Sequence, residues 1–132
     1  MSPSPGLMKQ VRKFRHVGFI AYETGITLGY RLIDSIMPNY DNRTAVSLLW
    51  LGQEMDDFVF LEEFSMLAEQ FKLNFNVMLH QKQPGWIGPF GPVTETHIRD
   101  FMPPPGDDTI ILLTGGSKEV AHVLPILKHI GY

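Results

Sequence analysis

Apolar positions along this chain follow two rhythms. Short runs that are apolar throughout, or that alternate, are separated by longer stretches with apolar residues three and four apart. The run His16-Val17-Gly18-Phe19-Ile20-Ala21 has no polar face and predicts a buried strand. After Thr24-Gly25-Ile26-Thr27, the residues Leu28, Leu32, Ile33 and Ile36 recur at helical spacing, and Pro38-Asn39 ends that helix. Ala45-Val46-Ser47-Leu48-Leu49-Trp50-Leu51 is a second buried strand, closed by Gly52. Asp56 and Asp57 are placed at a helix start, where carboxylates cap free N–H groups, and Leu61, Phe64, Leu67, Ala68 and Phe71 continue that helix. Residues 73–79 alternate as a third strand, and residues 81–92 form a loop rich in Pro and Gly. Thr94 is expected to cap a short helix through Ile98 and Phe101, which Pro103-Pro104-Pro105-Gly106 breaks. Thr109-Ile110-Ile111-Leu112-Leu113 is a fourth strand. Gly115-Gly116-Ser117 turns into a last helix over residues 119–129, with Val120, Val123, Leu124 and Leu127 inward and Pro125 expected to kink or break it.

Strand and helix alternating at this spacing imply right-handed crossovers and a parallel sheet. The expected fold is α/β, a doubly wound parallel sheet in three α/β/α layers, over residues 14–132, with residues 1–13 as a linker or tail. A chain of 132 residues suits one such domain. Sheets of this kind take ligands beyond the carboxyl ends of their strands, at the switch point. The loops that matter are therefore residues 21–27, 51–57, 79–91 and 114–118.

The charge balance narrows the partners. A net charge of -3 leaves no basic surplus to neutralise a phosphate backbone, so nucleic acid is not an expected partner. Lys9, Arg12, Lys13 and Arg15 read as a solvated strand entry. The chain has no cysteine, which excludes disulfides, thiolate metal sites and a cysteine nucleophile and is compatible with an intracellular reducing compartment. No apolar run reaches the ~18 residues of a membrane span. His16, His80, His97, His122 and His129 are scattered; His122 and His129 share a helix face, with no acidic partner at ligand spacing, and no metal site is expected. Glu62 and Glu63 read as a solvated helix face, and Met55, Met66, Met78 and Met102 as core filler.

Three loops offer chemistry. Gly25, before a helix with Thr24 and Thr27, serves either a plain turn or an anion-holding one. Trp86, between Gly85 and Gly88, either anchors its loop or stacks on a planar ligand. Thr114-Gly115-Gly116-Ser117 offers free backbone N–H groups before a helix, which suits a phosphate or a dinucleotide bridge.

In order and spacing these pieces resemble the NAD-binding domain of cytochrome b5 reductases and nitrate reductases, within the ferredoxin reductase superfamily. The family's Gly-Gly-Thr-Gly-Ile-Thr-Pro turn is matched here by Tyr22-Glu23-Thr24-Gly25-Ile26-Thr27-Leu28. Its Trp-x-Gly-x-x-Gly-x-Val-Thr stretch is matched by Trp86, Gly88, Gly91, Val93 and Thr94. Pro104-Pro105-Gly106-Asp107-Asp108-Thr109 and Ile130-Gly131-Tyr132 follow in the family's order. The resemblance implies NADH as cofactor, passing a hydride to FAD held by a separate barrel domain, in cis or in trans, with a haem or other electron-acceptor protein beyond it. It also implies that Thr24, Gly25 and Thr27 lie at the dinucleotide–flavin junction. Gln53 would lie near the adenosine ribose, and Asp57 would be the acid that favours NADH over a 2′-phosphate. Thr114, Gly115 and Gly116 would stand where the family has its Cys-Gly-Pro motif.

The departures fall in the same loops. Tyr22 and Glu23 replace paired glycines, Leu28 a proline, Thr114 a cysteine, Gly116 and Ser117 two prolines, and Leu61 an arginine. The segment before Phe14 is too short for the flavin barrel, and the family's last edge strand has no counterpart before Tyr132. The expected function is thus the NADH-binding part of a flavin-dependent reductase; the alternative is a fold-retaining binding or scaffold subunit without nucleotide or catalytic activity.

Overall fold

The structure, a computed structural model, describes residues 14–23, 26–36, 44–58 and 61–132. The strands are β1 (His16–Tyr22), β2 (Ala45–Gly52), β3 (Asn74–Leu79) and β4 (Thr109–Thr114). The helices are α1 (Ile26–Ile36), α2 (Leu61–Phe71), α3 (Glu95–Phe101) and α4 (Ser117–Ile130), with a 3-10 turn at Met55–Asp57. The strands form one parallel sheet in the order β3-β2-β1-β4.

Alternation along each strand divides the core into two layers. Phe19 and Ala21 of β1 and Leu48 and Trp50 of β2 face α1 and α2, where Ile26, Ile33 and Phe64 meet them. Ile20 and Tyr22 of β1 and Leu49 and Leu51 of β2 face α3 and α4, where Ile98, Met102, Val123 and Leu127 meet them. Helices therefore cover both faces, and the three-layer doubly wound fold is as the alternation predicts. Central β1 and β2 are buried nearly end to end, whereas every residue of edge strand β4 is only half-buried. The register sets Ala21 opposite both Trp50 and Thr114, with Val77 next to Trp50.

Local chemistry fixes the helix ends. The Thr94 hydroxyl accepts from the His97 N–H, and the His97 ring nitrogen Nδ1 accepts from the Thr94 N–H at 3.0 Å, so α3 has a reciprocal N-cap. Gly131 ends α4 at φ 119, a left-handed conformation that glycine takes without steric cost.

Several expectations change. Pro125 neither breaks nor ends α4, which runs continuously through it; the proline is exposed, so water can reach the carbonyl its missing N–H leaves free. Asp56 and Asp57 belong to the 3-10 turn and do not start α2. Met78 and Met102 are core residues, but Met55 and Met66 are exposed, because the turn and the outer face of α2 carry them. Leu124 likewise points outward, while Val123 and Leu127 are buried. His129 has an acidic neighbour from another helix, Glu95 at 3.3 Å. Lys9, Arg12 and Lys13 lie outside the described residues.

Candidate functional site

With strand order β3-β2-β1-β4, the chain runs outward from β1 in both directions, and the switch point lies between β1 and β4. The carboxyl ends of these strands carry the polar residues that the core leaves unpaired. Among the described residues, three buried side-chain atoms lack a hydrogen-bond partner: Glu23 Oε1, His80 Nε2 and Thr114 Oγ1. Each belongs to a residue ending a strand or following one, at β1, β3 and β4 respectively. Orphaned buried polar atoms gathered at strand ends suit a polar ligand.

Beside them, on the α3/α4 face, lies a cavity of about 300 Å³. Its polar walls are Tyr22, Gln53, His80, Lys118, Glu119 and His122. The Tyr22 and His80 rings meet at 5.7 Å, tilted. His122 is fixed by a contact of its Nε2 with the Val93 carbonyl at 2.8 Å. Burial, and then the Glu119 carboxylate, push the Tyr22 phenol up to about 12, so it is a proton donor at neutral pH.

The β2 loop is built as a tight turn. Asp57 Oδ2 accepts the N–H groups of Gln53 at 2.8 Å and Glu54 at 3.0 Å. Gln83 reaches across from the β3 loop and donates its Nε2 to the Gln53 carbonyl at 2.6 Å. That second loop is held in turn by Trp86, whose indole donates to the Pro89 carbonyl at 2.9 Å and stacks on Phe58. Trp86 is a loop anchor.

At the junction of β1 and β4, the turn residue Glu23 has φ 50, a left-handed backbone where the family pattern has glycine. Its carbonyl accepts the Trp50 indole N–H at 3.0 Å. Tyr22 packs over Gly115, its ring 3.0 Å from where a Cβ on that glycine would stand. Glu119 Oε2 lies 2.6 Å from the corresponding position on Gly116. The space that two glycines open is thus filled by this chain's own side chains.

The site residues expected from sequence divide accordingly. Thr24 and Gly25 lie outside the described residues. Thr27 is exposed in the first turn of α1 and lines a different groove, of about 460 Å³, between α1 and α2. Gln53 lines the strand-end cavity, and Asp57 braces the Gln53 turn from below. Thr114 stands opposite Ala21 in the sheet, and Gly115 and Gly116 lead from it to α4. Sequence reasoning placed His80 and Lys118 in the loops of interest without giving them a role, and missed Glu119 and His122. The signal was position: His80 directly follows a strand, and the other three occupy the opening turns of the helix after β4.

The fold and strand-end site define a nucleotide-binding type of α/β domain. A family model for the oxidoreductase NAD-binding domain matches residues 19–123. The chain belongs to that family. It is 34% identical over 122 residues to NADH-cytochrome b5 reductase 2 of Rattus norvegicus, covering 89% of this chain and 44% of that protein. It is 32% identical over 124 residues to NADH-cytochrome b5 reductase 1 of Aspergillus fumigatus, covering 89% of this chain and 40% of that one. The chain thus spans less than half the length of these curated relatives. Among solved structures it is similar in fold to the cytochrome b5 reductase domain of Ulva prolifera nitrate reductase. That match has a TM-score of 0.84 at 22% identity, over 90% of this chain and 45% of that one. A ferredoxin NADP+ reductase from Neisseria gonorrhoeae, solved with FAD and NADP, aligns with a TM-score of 0.67 at 14% identity, over 94% of this chain and 52% of that one. Among the described residues, no helix is long and apolar enough to cross a membrane, and no group of three or more His, Asp or Glu side chains could hold a metal.

Proposed function

We propose that this domain binds NADH as the nucleotide half of a cytochrome b5 reductase-like flavoprotein, serving a flavin held by another domain in cis or in trans. The observation that carries the reading is the cavity at the strand ends, which gathers Gln53, His80, Lys118 and Tyr22 beside the braced Asp57 turn in a chain of the NAD-binding family. NADH, when bound, supplies a hydride, and FAD in the partner domain accepts it, with a haem or other acceptor protein downstream. This chain's own residues would bind and orient. Gln53 and Asp57 would meet the adenosine ribose, where the Asp57 carboxylate repels a 2′-phosphate and favours NADH over NADPH. Thr114 Oγ1 and His80 Nε2, buried without protein partners among the described residues, are available to ligand amide and hydroxyl groups.

A second reading rests on the filled glycine cradle. Tyr22 over Gly115, Glu119 against Gly116 and the carboxylate of Glu23 all oppose close approach of a pyrophosphate, as in a domain that keeps the fold as a scaffold without nucleotide.

Titration of the 132-residue chain with NADH and NADPH separates the two. Saturable NADH binding, weaker for NADPH, with the gap narrowed by Asp57→Asn, supports the first reading. Asn keeps the acceptor that the Gln53 and Glu54 N–H groups use, so the turn survives the change. No binding of either nucleotide at millimolar concentration leaves the scaffold reading standing.

A further inference from the structure

The β1–β4 end of the site carries negative charge in a place where one side chain can set ligand preference. Glu119 is the third residue of α4, half-buried, with its carboxylate turned back onto Gly116. It also lines the strand-end cavity. Glu23 adds a second carboxylate at the end of β1, with Oε1 buried. The charge of Glu119 reaches the neighbouring Tyr22 phenol, where it adds to burial in holding the proton on. Among the described residues no basic side chain of the cavity is ion-paired with it. Lys118 is exposed, and His122 is engaged with the Val93 carbonyl. Among the described residues, the ion pairs formed are those of Glu95 with Arg99 and His129, away from Glu119.

On the nucleotide reading above, a ribose at the β2 turn directs the second base across β1 toward β4, its neighbour in the strand order. We propose that Glu119 selects a cationic ring at that position, so the domain holds the oxidised nicotinamide nucleotide, with its positive pyridinium, more tightly than the reduced one, whose dihydropyridine is neutral. The inference rests on the nucleotide reading above. The two ligands differ only in the nicotinamide ring, in its charge and its aromaticity, and the part of their affinity ratio that Glu119→Gln removes is the part owed to charge.

The test is calorimetric titration of the 132-residue chain with NAD+ and with NADH, in wild type and Glu119→Gln, at low and high salt. Wild type is expected to bind NAD+ roughly three- to tenfold more tightly, the range between exposed and partly buried charge pairs. Glu119→Gln should bring the ratio toward one, and added salt should compress it more in wild type than in the variant. The wild-type ratio is informative even if the variant folds poorly. Two saturable isotherms with a wild-type ratio near one, or a ratio that Glu119→Gln leaves unchanged, overturn this inference and leave the nucleotide reading intact. No binding of either nucleotide overturns both.

Discussion

The indole N–H of Trp50, in the middle of the sheet, donates to the backbone carbonyl of Glu23 at the end of the neighbouring strand, 3.0 Å away. Trp50 is buried and packs edge-on against Phe58 and, tilted, against Phe64. One core side chain therefore ties the first strand-to-helix turn to the aromatic cluster under α2. Trp50→Phe keeps most of the packing and removes the donor, leaving a part-buried carbonyl unpaired. A loss of about 1–3 kcal/mol in chemical denaturation is expected.

Glu23 holds a left-handed backbone at φ 50. A side chain there costs roughly 1–2 kcal/mol, and glycine would relieve it at an entropic cost of about 0.5–1 kcal/mol. Glu23→Gly is expected to raise stability slightly, by up to about 1 kcal/mol, a reversal of the usual effect of introducing glycine. The same change removes a carboxylate from the proposed bridge position and should tighten nucleotide. Paired denaturation and binding curves check both halves; a clear loss of stability would contradict the strain argument.

The Tyr22 phenol is raised from 10.0 to about 12, first by burial and then by Glu119. The folded state therefore holds this proton more strongly than the unfolded chain. Its contribution is complete below pH 10 and disappears as pH rises toward about 12. Between those limits wild type should lose on the order of 2 kcal/mol more than Tyr22→Phe, measured by denaturation across alkaline pH. Glu119→Gln should lower the phenolate midpoint seen by absorbance titration.

The α3/α4 layer offers a stability comparison. Ile98 is fully buried against the sheet, and Ile98→Ala should cost about 2–5 kcal/mol. Thr94→Ala, one turn earlier and exposed, removes only the cap of α3 and should cost about 0.5–2 kcal/mol. Thermal or urea unfolding of both variants tests the ranking; equal costs would mean that α3 is held by its cap and not by its packing.

The sheet was legible because β1, β2 and β4 are apolar on both faces, a pattern that buried parallel strands produce and amphipathic helices do not, and because β3 alternates. Thr94 was legible as a cap because the hydroxyl precedes a helical apolar rhythm. Exposure of Met55 and Met66 was not, since methionine fits core and surface alike, and only the placing of the 3-10 turn and the rotation of α2 decide. Pro125 misled because its penalty depends on whether the freed carbonyl meets water, which is a tertiary property. At the site, Gln53 and Asp57 stood out through their family positions. Glu119 did not, because a glutamate in a helix's first turn is ordinary dipole chemistry until Gly116 is seen beneath it.

Ala21, Trp50, Thr114 and Val77 share one level of the register, where β4 ends, while β2 and β3 run two residues beyond it, so the rim of the sheet is stepped. Loops planted on such a rim start at different heights, lower over β4 and higher over β2 and β3. Change at Tyr22 is felt in the core, where its ring is buried, and change at Glu23 reaches the core through the Trp50 indole, whereas Thr114 is only half-buried on the edge strand. Laboratory evolution of the strand-end loops should therefore find most freedom on the β4 side, at Thr114, and least at Tyr22.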